Sequence, residues 1–294
     1  MNKRIRLYNM KSIFYLLPLW LLLFACTNDQ VGINEADEQI PEGMGAVRLE
    51  IKSPTEFDIP TIMTRAVHHF DMDPTTFPLR IYEKGNDGSL TLVKAFDSYE
   101  ALVDNGLPLQ LPVGTYQIVA SSFVPAEGEE VTDKVYFEGK SEFIVEEKRV
   151  SNVSVNCKYA SLAVELRLSE QFQQLLETDP LNYAFEMDVY NGVADAVWSF
   201  CQQKIDGQET ETKLDTGYFL KGCTSDPGKL IVKVRVRLGS SNKWYPERTY
   251  YFDNNGSVPQ IGEYYVINLD AGPEAQAAAV KTALVGNYKM EELK

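Results

Sequence analysis

The chain has 294 residues, 44% of them hydrophobic and 24% charged, a composition that supports packed domains and excludes a disordered or collagen-like protein. Its 42 acidic residues against 28 basic ones give a formal net charge of −14, a field that opposes phosphate backbones, so no nucleic-acid partner is expected. Two histidines in the whole chain leave little for His-based catalysis or a His-rich metal site.

Lys3, Arg4, Arg6 and Lys11 precede an apolar run of 13 residues at 12–24, the n-region and h-region of a signal peptide over 1–25. A spanning helix needs about 20 residues, so the run is too short to cross a membrane. It leads into Leu23-Phe24-Ala25-Cys26, which resembles a bacterial lipobox. That resemblance implies lipidation at Cys26: a diacylglyceryl thioether on the thiol and an acyl chain on the freed α-amino group. These covalent lipids are the expected non-protein groups, with no other cofactor, and they imply an outer-membrane protein tethered through lipid. Residues 26–43 are polar and acidic without periodicity and read as a flexible tether.

Beyond the tether, alternation with period two dominates. Val47, Leu49 and Ile51 alternate with Arg48, Glu50 and Lys52, Leu162, Val164, Leu166 and Leu168 with Ala163, Glu165 and Arg167, and Leu230, Val232, Val234, Val236 and Leu238 with Ile231, Lys233, Arg235 and Arg237. Each pattern predicts a strand with one face in a core and one in water. Weaker strands are expected at 78–83, 89–96, 115–122, 141–146, 150–157, 183–190, 243–252 and 263–270, separated by turns such as Gly85-Asn86-Asp87-Gly88 and Asn254-Asn255-Gly256. A two-turn helix is expected at 169–177, with Ser169 as its cap and Phe172, Leu175 and Leu176 on one face. The Ala-rich tail, with Pro273 at its start and Gly286 past its end, is expected to be a short C-terminal helix. The fold class is thus all-β, with antiparallel sandwiches at 44–157 and 158–271, a helical tail at 272–294, and no visible sequence repeat between the halves. Cys157, Cys201 and Cys223 are expected as small buried residues, a Cys201–Cys223 bridge being the alternative.

Gly45-Ala-Val-Arg-Leu-Glu-Ile51, Thr64-Arg65-Ala66, Pro78-Leu-Arg-Ile-Tyr82, Val93-Lys-Ala-Phe-Asp-Ser-Tyr99, Leu111-Pro-Val-Gly-Thr-Tyr116 and Val153-Ser-Val-Asn-Cys157 follow one another in a distinctive order. Together they resemble an uncharacterised family of Bacteroides-type lipoproteins grouped with fimbrillin-like proteins. The resemblance covers residues 45 to about 170, and is looser through Gly217-Tyr-Phe-Leu220 and Gly262-Glu-Tyr-Tyr265. It implies two transthyretin-like β-sandwiches in tandem and a place in surface fimbriae or adhesion, with other fimbrial subunits or a host or glycan ligand as partners. It also implies proteolytic processing at Arg65, followed by donation of a neighbour's strand. The helical reading of the tail argues against that tail being the donor.

Sequence patterns for chemistry fail. Gly139-Lys140-Ser141 lacks the leading glycine of a P-loop, because position 134 is Lys134. His68 and His69 are adjacent, so in an extended chain they face opposite ways and cannot share a metal; they read as loop residues. Asp71-Met72-Asp73 is a weak calcium pattern. No catalytic residue and no metal site are assigned, and the chain is read as non-enzymatic. Trp244, Tyr245, Tyr250 and Tyr251 are candidates for stacking on sugar faces, although cross-strand packing in the second sandwich is the favoured account of aromatic residues in strands. The reading is an outer-membrane lipoprotein, a structural or adhesive component resembling a minor, tip or anchor fimbrillin-like subunit; the alternative is a carbohydrate-binding surface lipoprotein.

Overall fold

A computed structural model describes residues 40–54, 56–60, 67–239, 243–253, 255–270 and 279–287. In chain order, β1 (Met44–Lys52) is followed by a hairpin of β2 (Glu56–Pro60) and β3 (Val67–Asp71) and a turn of 3-10 helix, Pro74–Thr76. Next come β4 (Leu79–Lys84), β5 (Leu90–Phe96), α1 (Tyr99–Asp104), β6 (Leu109–Pro112), β7 (Gly114–Ser121), β8 (Val131–Thr132), β9 (Phe137–Val145), β10 (Val150–Asn156) and β11 (Lys158–Tyr159). The second half runs through β12 (Leu162–Leu168), α2 (Glu170–Thr178), β13 (Ala184–Tyr190), β14 (Val197–Gln203), β15 (Glu211–Lys213), β16 (Gly217–Phe219), β17 (Leu230–Arg237), β18 (Arg248–Phe252), β19 (Glu263–Asp270) and β20 (Ala279–Asn287).

In the first sandwich the sheet β10-β1-β6 faces the sheet β11-β9-β7-β4-β5 across a core that includes Val47, Leu49, Phe77, Ile81, Tyr116, Ile118 and Val155. In the second, β20-β19-β12-β16-β8 faces β15-β14-β13-β17-β18 across Val164, Phe172, Phe185, Phe200, Val232, Val234 and Ile267. Strand pairing shows that the two sandwiches are one topology used twice. β10-β1-β6 corresponds to β19-β12-β16, each with a parallel first pair and an antiparallel second. β9-β7-β4-β5 corresponds to β18-β17-β13-β14, antiparallel throughout. The sequence carries no trace of this duplication, because a sheet face asks only for alternating apolar residues of suitable size.

The halves are joined by the sheet that contains β12. One of its faces, with Leu162, Val164, Phe219, Tyr265 and Ile267, belongs to the second core. The opposite face, with Ala163, Tyr218, Tyr264 and Val266, belongs to the first. Beside them the Tyr264 hydroxyl donates to Glu165 Oε2 at 2.7 Å, and Arg167 Nε donates to Glu165 Oε1 at 2.8 Å. β8, from the first half of the chain, pairs with β16 and binds the two halves further.

Three expectations change. The tail is not a helix: Ala279–Asn287 forms β20, antiparallel to β19 from Glu263↔Asn287 to Asp270↔Ala279, with an irregularity at Tyr264/Tyr265. Helix propensity loses to tertiary demand, since β19 otherwise presents an unpaired row of backbone N–H and C=O groups. Val280, Thr282 and Val285 also suit a strand. Secondly, His68 and His69 lie in β3, not in a loop. Thirdly, Arg237, expected to face water, is buried and donates from Nη2 to the Pro180 and Lys204 carbonyls at 3.1 and 3.0 Å. The helix at α2 forms with Ser169 as its cap, as its spacing predicts.

Candidate functional site

Cys26 and Arg65 lie outside the described residues, Arg65 between β2 and β3 in sequence. The cysteines within them are free; Cys157 and Cys223 are buried and Cys201 partly so, and the alternative Cys201–Cys223 bridge is not formed. Cys201 stands on the outer side of β14 whereas Cys223 packs into the second core. Asp73 of the acidic pair caps the 3-10 turn through the Thr75 amide at 2.9 Å and hydroxyl at 2.6 Å. Among the described residues no three His, Cys, Asp or Glu side chains cluster as a metal site would require. No helix among them is long and apolar enough to cross a membrane.

The aromatic residues singled out near the C-terminus are dispersed. Tyr264 and Tyr265 are core residues. Tyr250 and Phe252 stack at 6.3 Å between ring centroids and 10° between planes, packed with Tyr245 against the second core. Tyr251, 57% exposed, faces outward across from Ile231. Trp244 is held beside Arg235 and Arg237, whose guanidinium carbons lie 4.9 and 5.5 Å from its ring centre. Trp244 pairs with Arg237 and Tyr251 with Ile231, which places them roughly 20 Å apart along β17 at the usual rise of a strand. The four residues therefore do not make one stacking platform.

A groove lies instead on the outer face of the first sandwich. Strand alternation buries Leu79 and Ile81 and turns Arg80 and Tyr82 of β4 outward, beside Gln117 and Val119 of β7 and Glu138 and Lys140 of β9. The segment between β7 and β9 folds back as a wall carrying Val124, Pro125 and Tyr136, where Phe123 meets the Tyr136 ring edge-on at 5.1 Å. The hollow has a volume of about 340 Å³. A second hollow of about 360 Å³ continues from Tyr136, Glu138 and Lys140 to Lys221 and Ile261 of the second sandwich.

Charges in the groove are arranged unevenly. Glu138 accepts the Tyr136 hydroxyl at 3.0 Å and pairs with Lys140 at 2.8 Å. Burial, then the charge of Glu138, pushes the Tyr136 phenol far above its ordinary value, so Tyr136 serves as a neutral donor. Arg80 has no hydrogen-bond or ion-pair partner among the described residues, and neither has the Gln117 amide. Alternation in Pro78-Leu-Arg-Ile-Tyr82 is enough to place Arg80 and Tyr82 on the wet face; the wall that makes a groove of them comes from a segment with no periodicity.

Fold and groove together define an all-β protein of two tandem sandwiches, antiparallel apart from the β1–β10 and β12–β19 pairs, with a polar, aromatic-lined trough on an outer sheet face. The chain belongs to the family described as Domain of unknown function (DUF4493), which matches residues 43–220. No curated protein matches it. Among solved structures it is similar to a candidate polysaccharide binding protein (DUF1812) of Bacteroides thetaiotaomicron, with 11% identity, 84% of this chain and 100% of that chain covered, and a TM-score of 0.43. It is similar also to a candidate cell adhesion protein of Bacteroides eggerthii, with 10% identity, 83% and 95% covered, and a TM-score of 0.41. A candidate adhesin of Bacteroides ovatus shares 11% identity over 85% of this chain and 96% of its own, with a TM-score of 0.41.

Proposed function

We propose that the protein is a non-enzymatic structural or adhesive component of the outer membrane, held by lipid on Cys26 and acting as a minor, tip or anchor subunit of a fimbrillin-like assembly. The observation that carries this reading is β20. Among the described residues it is the last strand and stands at the edge of its sheet, paired with β19 alone. Eight residues, 271–278, separate the two strands, more than a hairpin needs. Fully extended, that link spans up to about 27 Å, far enough for the strand to leave its own sheet and pair with a neighbouring copy. With the tail a strand, the helical argument against donation falls.

Cysteines placed at the register partners Asn268 and Lys281 test this. In isolated protein the bridge should close within one chain; in surface assemblies it should join chains into a ladder on a denaturing gel. Bridges confined to single chains in those assemblies would exclude strand exchange. Separately, Cys26→Ala should release the protein from the membrane fraction with its leader unprocessed, and a processed variant retained in membranes would refute the lipid anchor. The alternative reading, a carbohydrate-binding surface lipoprotein, is favoured by the outer-face groove.

A further inference from the structure

The groove differs from a generic surface hollow in three respects. Its one lining carboxylate, Glu138, is paired with Lys140 and accepts from Tyr136, so the lining sets two cations, Arg80 and Lys140, against one carboxylate and carries a net positive charge. The free guanidinium of Arg80 and free amide of Gln117 occupy adjacent cross-strand rows, with Tyr82 opposite Gln117 and roughly 7 Å along β4 from Arg80. At Arg80, Tyr82, Gln117 and Val119 its floor is paired on both sides and offers no strand edge, whereas β9 has a partner beyond β7 only at Phe137 and Glu138, through β11.

The last point selects the kind of ligand. An extended peptide adding to a sheet needs unpaired backbone, which the floor lacks at those four residues. Recognition must run through side chains alone: a ring for stacking, an amide for hydroxyls and a guanidinium for an anionic oxygen pair, a set that suits a sugar. The chain's net charge of −14 opposes a polyanion, whereas a single carboxylate meets the local field of Arg80. The adjoining hollow sets Glu129, Glu130 and Glu138 against Lys140 and Lys221, which pair with Glu138 and Glu130, so that end carries one carboxylate in excess and favours an anion less than the Arg80 end.

We infer that the groove binds a glycan through one carboxylate-bearing sugar, with the carboxylate on Arg80 and the sugar face against Tyr82. This rests on the carbohydrate-binding reading and names its ligand class. Calorimetric titration of the full processed chain would use sialyllactose and digalacturonate, each against its neutral counterpart, lactose and the carboxyl-reduced disaccharide. The acidic sugars should bind at least tenfold more tightly than the neutral ones. Arg80→Gln should remove that preference, Tyr82→Ala should weaken both classes, and Lys52→Gln on the opposite sheet should change nothing. Response to only one of the acidic probes would tell a sialic from a uronic acid and would support the inference in either case. Equal binding of acidic and neutral sugars, lost in Tyr82→Ala, would overturn the acidic class and leave the carbohydrate reading standing. Binding of neither class, or acidic preference retained in Arg80→Gln, would overturn the assignment of this groove, and only the former would also remove the carbohydrate reading.

Discussion

Gly217 shows how closely single residues are constrained. A β-carbon there would stand 2.3 Å from Cγ of Trp198, whose Nε1 donates to the Asp215 carbonyl at 2.9 Å. Gly217→Ala should therefore lower stability by about 1 to 3 kcal/mol, read as a shift in denaturant midpoint. Val234 lies in the second core between Val232 and Val236 on the same strand face. Val234→Asp would bury a carboxylate with no partner and should cost several kcal/mol, on the order of the whole stability of a domain; an unchanged melting curve would contradict this. The thiols divide in the same way. Burial pushes Cys157 and Cys223 from 9.0 to about 12, whereas Cys201 is partly open. In a Cys26→Ser chain, a thiol-reactive disulfide dye at pH 8 should label Cys201 alone until denaturant is added; labelling of all three in the native protein would contradict the packing.

Among elements, β1, β12 and β17 are legible from sequence because each has one dry and one wet face, which prints period two. β14 escaped because Cys201, Gln202 and Gln203 blur its alternation, although Trp198 and Phe200 do point inward. β20 reversed its expectation because propensity weighs a residue against water, while the strand is decided by the open edge of β19. Truncation after residue 278 should leave that edge bare and give a lower melting temperature together with concentration-dependent association, measured by scanning calorimetry and light scattering. A truncated chain that melts like the parent would show that β20 contributes nothing to the sheet.

For the whole molecule, the sheet containing β12 is buried on both faces and shares residues with both cores. Calorimetry should therefore show one cooperative transition for the region from residue 40 onward; two resolved transitions would mean that the halves are energetically independent. Alkaline pH should weaken that transition. Cys157 and Cys223 are raised from 9.0, and Tyr218 from 10.0, to about 12, in each case first by burial. The folded chain keeps protons that the unfolded chain has already released, so the stability from these groups is complete below pH 9 and is lost as pH rises towards 12. A melting temperature constant from pH 8 to 11 would contradict this.

What the sequence determined by itself is what alternation, capping and a charged leader encode locally: a lipidated N-terminus as expectation, an all-β body, the main strands and α2. The candidate binding site was only half legible. Alternation turns Arg80 and Tyr82 outward, but the groove exists because the segment carrying Val124, Pro125 and Tyr136 folds over β7, a contact between residues with no shared period. The tertiary structure alone decided that the two halves share one topology, that Arg237 is buried under Trp244, that Trp244 and Tyr251 stand far apart, and that the tail is a strand. In each case the deciding partner lies elsewhere in the chain, where burial and backbone pairing outweigh what neighbouring residues prefer.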